Sequence, residues 1–186
     1  MPASPAIPGL FLCFAATVLL VFVSVSAPTW ESISFLNAGV GSSQIHYGVF
    51  GFTGSKHTIG YEFSDDRLNT VILHNLTRTL ILHPIAAGLS AIAFLFGLGG
   101  AAARTRVGTV FMTLTAGLAA LATLVAWVID MVLFGTARNR FREDNIPAQY
   151  GNANWLTLGA LVALLLGFCA SACGVFGRYG KRRDMY

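Results

Sequence analysis

Charge is scarce in this sequence. Only 11% of its 186 residues are Asp, Glu, Lys or Arg, against about 25% in an average soluble domain. So few charges cannot solvate a globular surface, and lipid must cover much of the chain. Cysteine is nearly absent too. Cys13, Cys169 and Cys173 all lie inside apolar runs, which excludes an extracellular disulfide framework and a thiolate zinc site. There is no Gly-rich phosphate loop, no nucleophile elbow and no metal-ligand spacing. The reading is therefore non-enzymatic, with no cofactor. The chain has no evident inverted repeat and no charged pair at mid-bilayer, which argues against a transporter. A net charge of +4 and a pI near 9.3 do not make a nucleic-acid footprint. The basic residues sit in short clusters beside apolar runs, where they suit anionic lipid headgroups.

What the chain does have is apolar length. Hydrophobic residues make up 55% of it, and the mean hydropathy is +0.67. A helix needs about 20 apolar residues to cross roughly 30 Å of hydrocarbon. Four runs qualify: about Leu10 to Ala27, Leu80 to Leu98, Val107 to Phe134 and Trp155 to Phe176. The third reaches ~40 Å, so its end should project or the helix should tilt. Val25-Ser26-Ala27 has the small residues of a cleavage site. No basic region precedes it and Pro28 would follow the cut, so the first run reads as an uncleaved span.

Orientation follows the density of basic residues in short flanks. Arg104 and Arg106 lie between the second and third spans. Arg178, Lys181, Arg182 and Arg183 lie after the fourth. Both flanks, and so both termini, are expected in the cytoplasm. Arg138, Arg140 and Arg142 in the third connection pull the other way. The first loop, Pro28 to Thr79, would then be extracellular.

That loop carries strand signals. Glu31 to Phe35 alternates polar and apolar. Ile45 to Phe52 is β-branched and aromatic. Thr53 to Lys56 reads as a turn, His57 to Phe63 as a return strand and Ser64 to Asn69 as a surface turn. The expected fold class is all-α, a four-span bundle with a small antiparallel sheet in its first loop, making one domain over residues 1–186. The loop aromatics Phe50, Phe52, Tyr61 and Phe63 either pack that sheet down or meet a partner.

Asp130 is the one acid inside an apolar run, and an intramembrane acid points to function by default. It lies four residues before Phe134, close to the interface, where its cost is low. His83 sits at a similar depth on the second span, with Arg78 above it. Asp130 either pairs with His83 or Arg78 and pins two helices, or caps the first loop, or has a proton-sensing or ion-path role, since a His–Asp pair near the surface can titrate near neutral pH. Pro84 falls in the first turn of a helix, where proline is tolerated. Cys169 and Cys173 share a helix face among small residues, as do Ala86-Ala87-Gly88 and Gly97, Gly99 and Gly100, which suits close helix packing. Cys173, beside a basic flank, also suits palmitoylation. Asn75-Leu76-Thr77 is an N-glycosylation sequon, only a few residues from the second span.

Several segments together resemble a known group. Trp30 follows the first span. Tyr47-Gly48-Val49-Phe50-Gly51-Phe52 is a Gly-aromatic strand, followed by Ile59-Gly60-Tyr61. Leu80 to Gly88 opens the second span, Trp127 to Phe134 closes the third, and Asn154-Trp155 starts the fourth. The pattern resembles the claudin-like tetraspanners, and more closely the fungal PalI family of ambient-pH response regulators with its eisosome-associated relatives. The resemblance implies structural or interaction roles for Trp30, Tyr47, Gly48, Phe50, Gly51, His83, Asp130 and Trp155, and Arg78 joins them as a candidate partner of Asp130. It implies an accessory protein that supports the delivery, stability or assembly of a multi-span ambient-pH sensor. The alternative is a structural tetraspanner that organises a membrane domain or serves a larger complex such as a cell-wall synthase. Either way the partners are integral membrane proteins and lipids, not nucleic acid. Relatives usually carry a cysteine pair in the first loop, and none stands here. Many also carry a long cytoplasmic tail, so a partner bound through such a tail is not implied.

Overall fold

The structure is a computed structural model that describes residues 6–61, 71–103 and 106–180. Glu62 and Phe63, the Ser64 to Asn69 turn, Arg104, and the side chains of Cys173 and the basic tail lie outside the described residues. Among the described residues, four helices are long and apolar enough to cross a membrane: α1 (Ala6–Ser24), α3 (Leu82–Ala103), α4 (Arg106–Glu143) and α5 (Ala153–Gly180). A short α2 (Val71–Thr79) leads into α3. Three strands, β1 (Leu36–Ala38), β2 (Ile45–Tyr47) and β3 (Ala148–Tyr150), form an antiparallel sheet in the order β2–β1–β3.

The bundle closes in a ring, with α3 and α5 each touching both α1 and α4. Its middle packs through small residues. Ala16, Ala86, Ala119 and Ala160 are fully buried around Leu20 and Leu164. A Cβ on Gly100 would sit 3.0 Å from backbone atoms of Gly108 and Thr109, so α3 and α4 nearly touch there. Lipid offers no hydrophobic gain for helix association, so close backbone approach and interhelical hydrogen bonds must hold such a bundle. Thr17 Oγ1 and Ser90 Oγ supply one such bond, 2.7 Å apart. Gly88 and Gly99 face open space instead.

The apolar run of α4 stops at Phe134, but the helix continues to Glu143. At 1.5 Å per residue, its full length is about 57 Å, well beyond a bilayer's hydrocarbon. Arg138, Arg140 and Arg142 thus belong to its last turns and not to a loop. Cations favour a helix C-terminus, where they offset the dipole. The stop is local in origin. Asn145 adopts φ 58°. Asn145 N–H donates to Arg142 O, and Ile146 N–H donates to Phe141 O at 2.8 Å. This is a Schellman ending with asparagine in the left-handed position, and Pro147 prevents continuation.

The sheet differs from the sequence expectation. β1 starts at Leu36, after the alternating Glu31 to Phe35 segment, and pairs with β2. The expected return strand from His57 is irregular as far as Tyr61. Gly51, Gly54 and Gly60 all take positive φ, which bends the chain out of an extended path. The expected Ile45 to Phe52 strand also ends early, at Tyr47, and turns back on itself through a Tyr47–Phe52 bridge. The third strand comes instead from the connection between α4 and α5, so both connections at this end of the bundle build one sheet.

The polar junction beneath the sheet

Phe35, just before β1, marks the centre of the junction between sheet and bundle. Its ring stacks on Phe134 of α4, 5.0 Å between centroids, and meets the His83 ring edge-on at 5.2 Å. Its backbone is held on both sides. Phe35 N–H donates to Tyr47 O, and Phe35 O accepts from Gly151 N–H and from Asn154 Nδ2 at 3.0 Å. Asn152 Oδ1 accepts from Ser34 N–H, and its Nδ2 donates to Ser32 O. The two asparagines at the start of α5 therefore clamp the Ser32 to Phe35 segment, where no disulfide is available.

Beneath Phe35, His83 Nε2 lies 3.0 Å from Asp130 Oδ2, with both side chains fully buried. The pairing is with His83. Arg78 is exposed, and its side chain lies over Gly60. Pro84 explains the other His83 contact. In a regular helix residue 84 would donate to Leu80 O, but proline has no N–H. His83 takes that carbonyl instead, through its backbone N–H and through Nδ1, each at 3.1 Å. Asp130 Oδ1 has no hydrogen-bond partner among the described residues.

The remaining sites are placed as follows. Gly48 presses on the backbone of Ala27, and a Cβ there would overlap the Ala27 carbonyl. Gly51 takes φ 152°, beside the Ser55 hydroxyl. Tyr47 is fully buried and Phe50 packs against the same apolar cluster. Tyr61 stacks on the Tyr47 ring and Phe52 packs tilted against it, so these loop aromatics pack inward. Tyr61 donates from its hydroxyl to Gly48 O. Burial, with Tyr47 and Asp130 nearby, holds the Tyr61 phenol well above its ordinary range. Trp30 is 48% exposed and lies 5.7 Å from Phe22, while Trp155 is 66% exposed on the first turn of α5. Such positions suit indoles at a membrane interface. Asn75 is exposed on α2.

Asn37 and Asn152 were not marked by any motif, and Asn154 was marked only as part of the Asn154-Trp155 entry to the fourth span. Asn37 Oδ1 accepts from Ser34 Oγ and from His46 Nδ1. Asparagines in a predicted loop read as turn residues, and only their tertiary partners reveal the clamp. Among the described residues, no group of three or more His, Cys, Asp or Glu is placed to hold a metal.

No curated protein matches the chain significantly. A family model does match, described as the SUR7/PalI family, over residues 5–169. That match runs from the start of α1 well into α5 and includes the sheet, the asparagine clamp and the His83–Asp130 pair, so the chain belongs to the SUR7/PalI family of claudin-like, multi-pass membrane proteins.

Proposed function

We propose that this protein is a non-enzymatic accessory subunit of the plasma membrane that supports a multi-span ambient-pH sensor in its delivery, stability or assembly. In this reading both termini are cytoplasmic and the sheet stands outside the cell. SUR7/PalI is not a known family of enzymes. The observation that carries the reading is the seat of the sheet. Backbone pairing, Asn152, Asn154 and Phe35 tie both connections to the bundle end. Such a head is a fixed surface for another membrane protein to recognise, and lipid-facing helices supply the rest of the contact.

One observation favours the second reading, a structural tetraspanner serving a larger complex. Gly39 N–H donates to Pro147 O, which places Val40 beside Ile146, and both side chains are exposed at the sheet tip. Apolar side chains beyond the bilayer suit a protein neighbour more than lipid. Purification in mild detergent separates the two readings. A co-purifying pH sensor supports the first, and a wall synthase, pump or domain scaffold supports the second. Deletion that leaves alkaline growth normal and the sensor at the cell surface would sink the first.

A further inference from the structure

We infer that His83 and Asp130 form a one-proton site: a single proton is shared between Nε2 and Oδ2, and the α3–α4 contact beneath the sheet lasts while that proton is held. The argument is one of donors and acceptors. Leu80 O is a carbonyl and can only accept, so His83 Nδ1, 3.1 Å away, carries a hydrogen. Pro84 has left that carbonyl without its usual amide donor, which fixes this orientation of the ring. Nε2 then faces Asp130 Oδ2 at 3.0 Å. With Nδ1 protonated, a neutral imidazole offers only a lone pair at Nε2. A hydrogen bond there requires either a protonated carboxyl that donates or an imidazolium that donates to a carboxylate. Both forms contain one further proton, and the pair is neutral overall in each. Removing that proton sets a lone pair against a carboxylate in a fully buried site, where no solvent offsets the repulsion.

Tyr61, in the loop after β2, is the titratable group that senses the Asp130 charge, with Tyr47 of β2 beyond it. Among the described residues, Asp130 is the acid in contact with His83. Among the described residues of the other elements, Phe35 before β1 meets the His83 ring, and Asn154 of α5 bonds to the Phe35 carbonyl; both side chains are uncharged. Arg78 of α2 is exposed over Gly60, and Arg138 lies two turns along α4 over the Tyr150 ring. Phe35 caps the histidine, so the proton exchanges with solvent only when the Phe35 seat lifts. Loss of the proton and lifting of the sheet are then linked events. This inference stands apart from the identity of any partner.

The test uses the full-length protein in detergent with 15N-labelled histidine. Nuclear magnetic resonance reads the His83 ring, assigned by its absence in His83→Gln. A hydrogen on Nδ1 throughout the folded pH range is the expected result. A neutral ring protonated at Nε2 overturns the proposal. Thermal unfolding across pH gives a second reading. The wild-type melting temperature falls as pH rises through the titration of the pair. Asp130→Asn can donate an amide N–H to Nε2 at any pH, so that step disappears. An unchanged step in Asp130→Asn overturns the proposal. Should that variant fail to fold, the wild-type ring spectrum decides alone.

Discussion

Gly48 has nothing to give but space. A methyl group there meets the Ala27 backbone, which cannot move like a side chain. Gly48→Ala should cost about 1–3 kcal/mol, read as a lower detergent melting temperature. Tyr61 sets an alkaline limit. Its phenol ionises near pH 10 in an unfolded chain and at higher pH in the folded one, where burial opposes the charge. Its contribution is therefore complete below about pH 10 and declines above it, because the unfolded state releases its proton first. Tyr61→Phe should lose about 1 kcal/mol at neutral pH, through the bond to Gly48 O, and flatten the alkaline decline in a melting series. The sequon at Asn75 should stay empty. Thr77 is buried, and its hydroxyl already donates to Tyr61 O. Deglycosylation of the native protein should leave its electrophoretic mobility unchanged.

At the scale of elements, the sequence showed where helices lie better than where strands pair. Twenty-residue apolar runs state their own length. The end of α4 was legible only in hindsight, because Asp144-Asn145-Ile146-Pro147 terminates the helix well after its apolar face has run out. Asn145→Val would force a β-branched residue into the left-handed region, at roughly 1–2 kcal/mol, and should loosen β3, visible as faster amide exchange at Ala148 to Tyr150. Strands of three residues carry too little alternation to declare a partner. β3 joined β1 because the α4 ending and the asparagine clamp bring it there. Asn154→Ala removes one of the two donors to Phe35 O, leaving the Gly151 N–H in place, and should cost about 0.5–1.5 kcal/mol in a detergent melting series.

The whole molecule is a four-helix bundle whose two connections at one end merge into a single sheet. Asp130 stood out in the sequence because charge inside an apolar run is rare, and His83 stood out beside a proline. Neither residue announced the other. They are 47 positions apart, and only the packing of α3 against α4 makes them neighbours.

Composition and apolar length by themselves determined that this chain spans a membrane four times, because scarce charge leaves lipid as the only suitable solvent for the runs between. The order of its helix-end motifs also pointed to its family. Tertiary structure alone decided the rest. It chose His83 over Arg78 for Asp130, drew the third strand from beyond α4, and turned three asparagines into hydrogen-bonding staples. The physical reason is one of range. Hydrophobic length is a local property that every residue in a run shares, whereas a buried polar group is satisfied by whatever distant donor or acceptor the folded bundle places within about 3 Å.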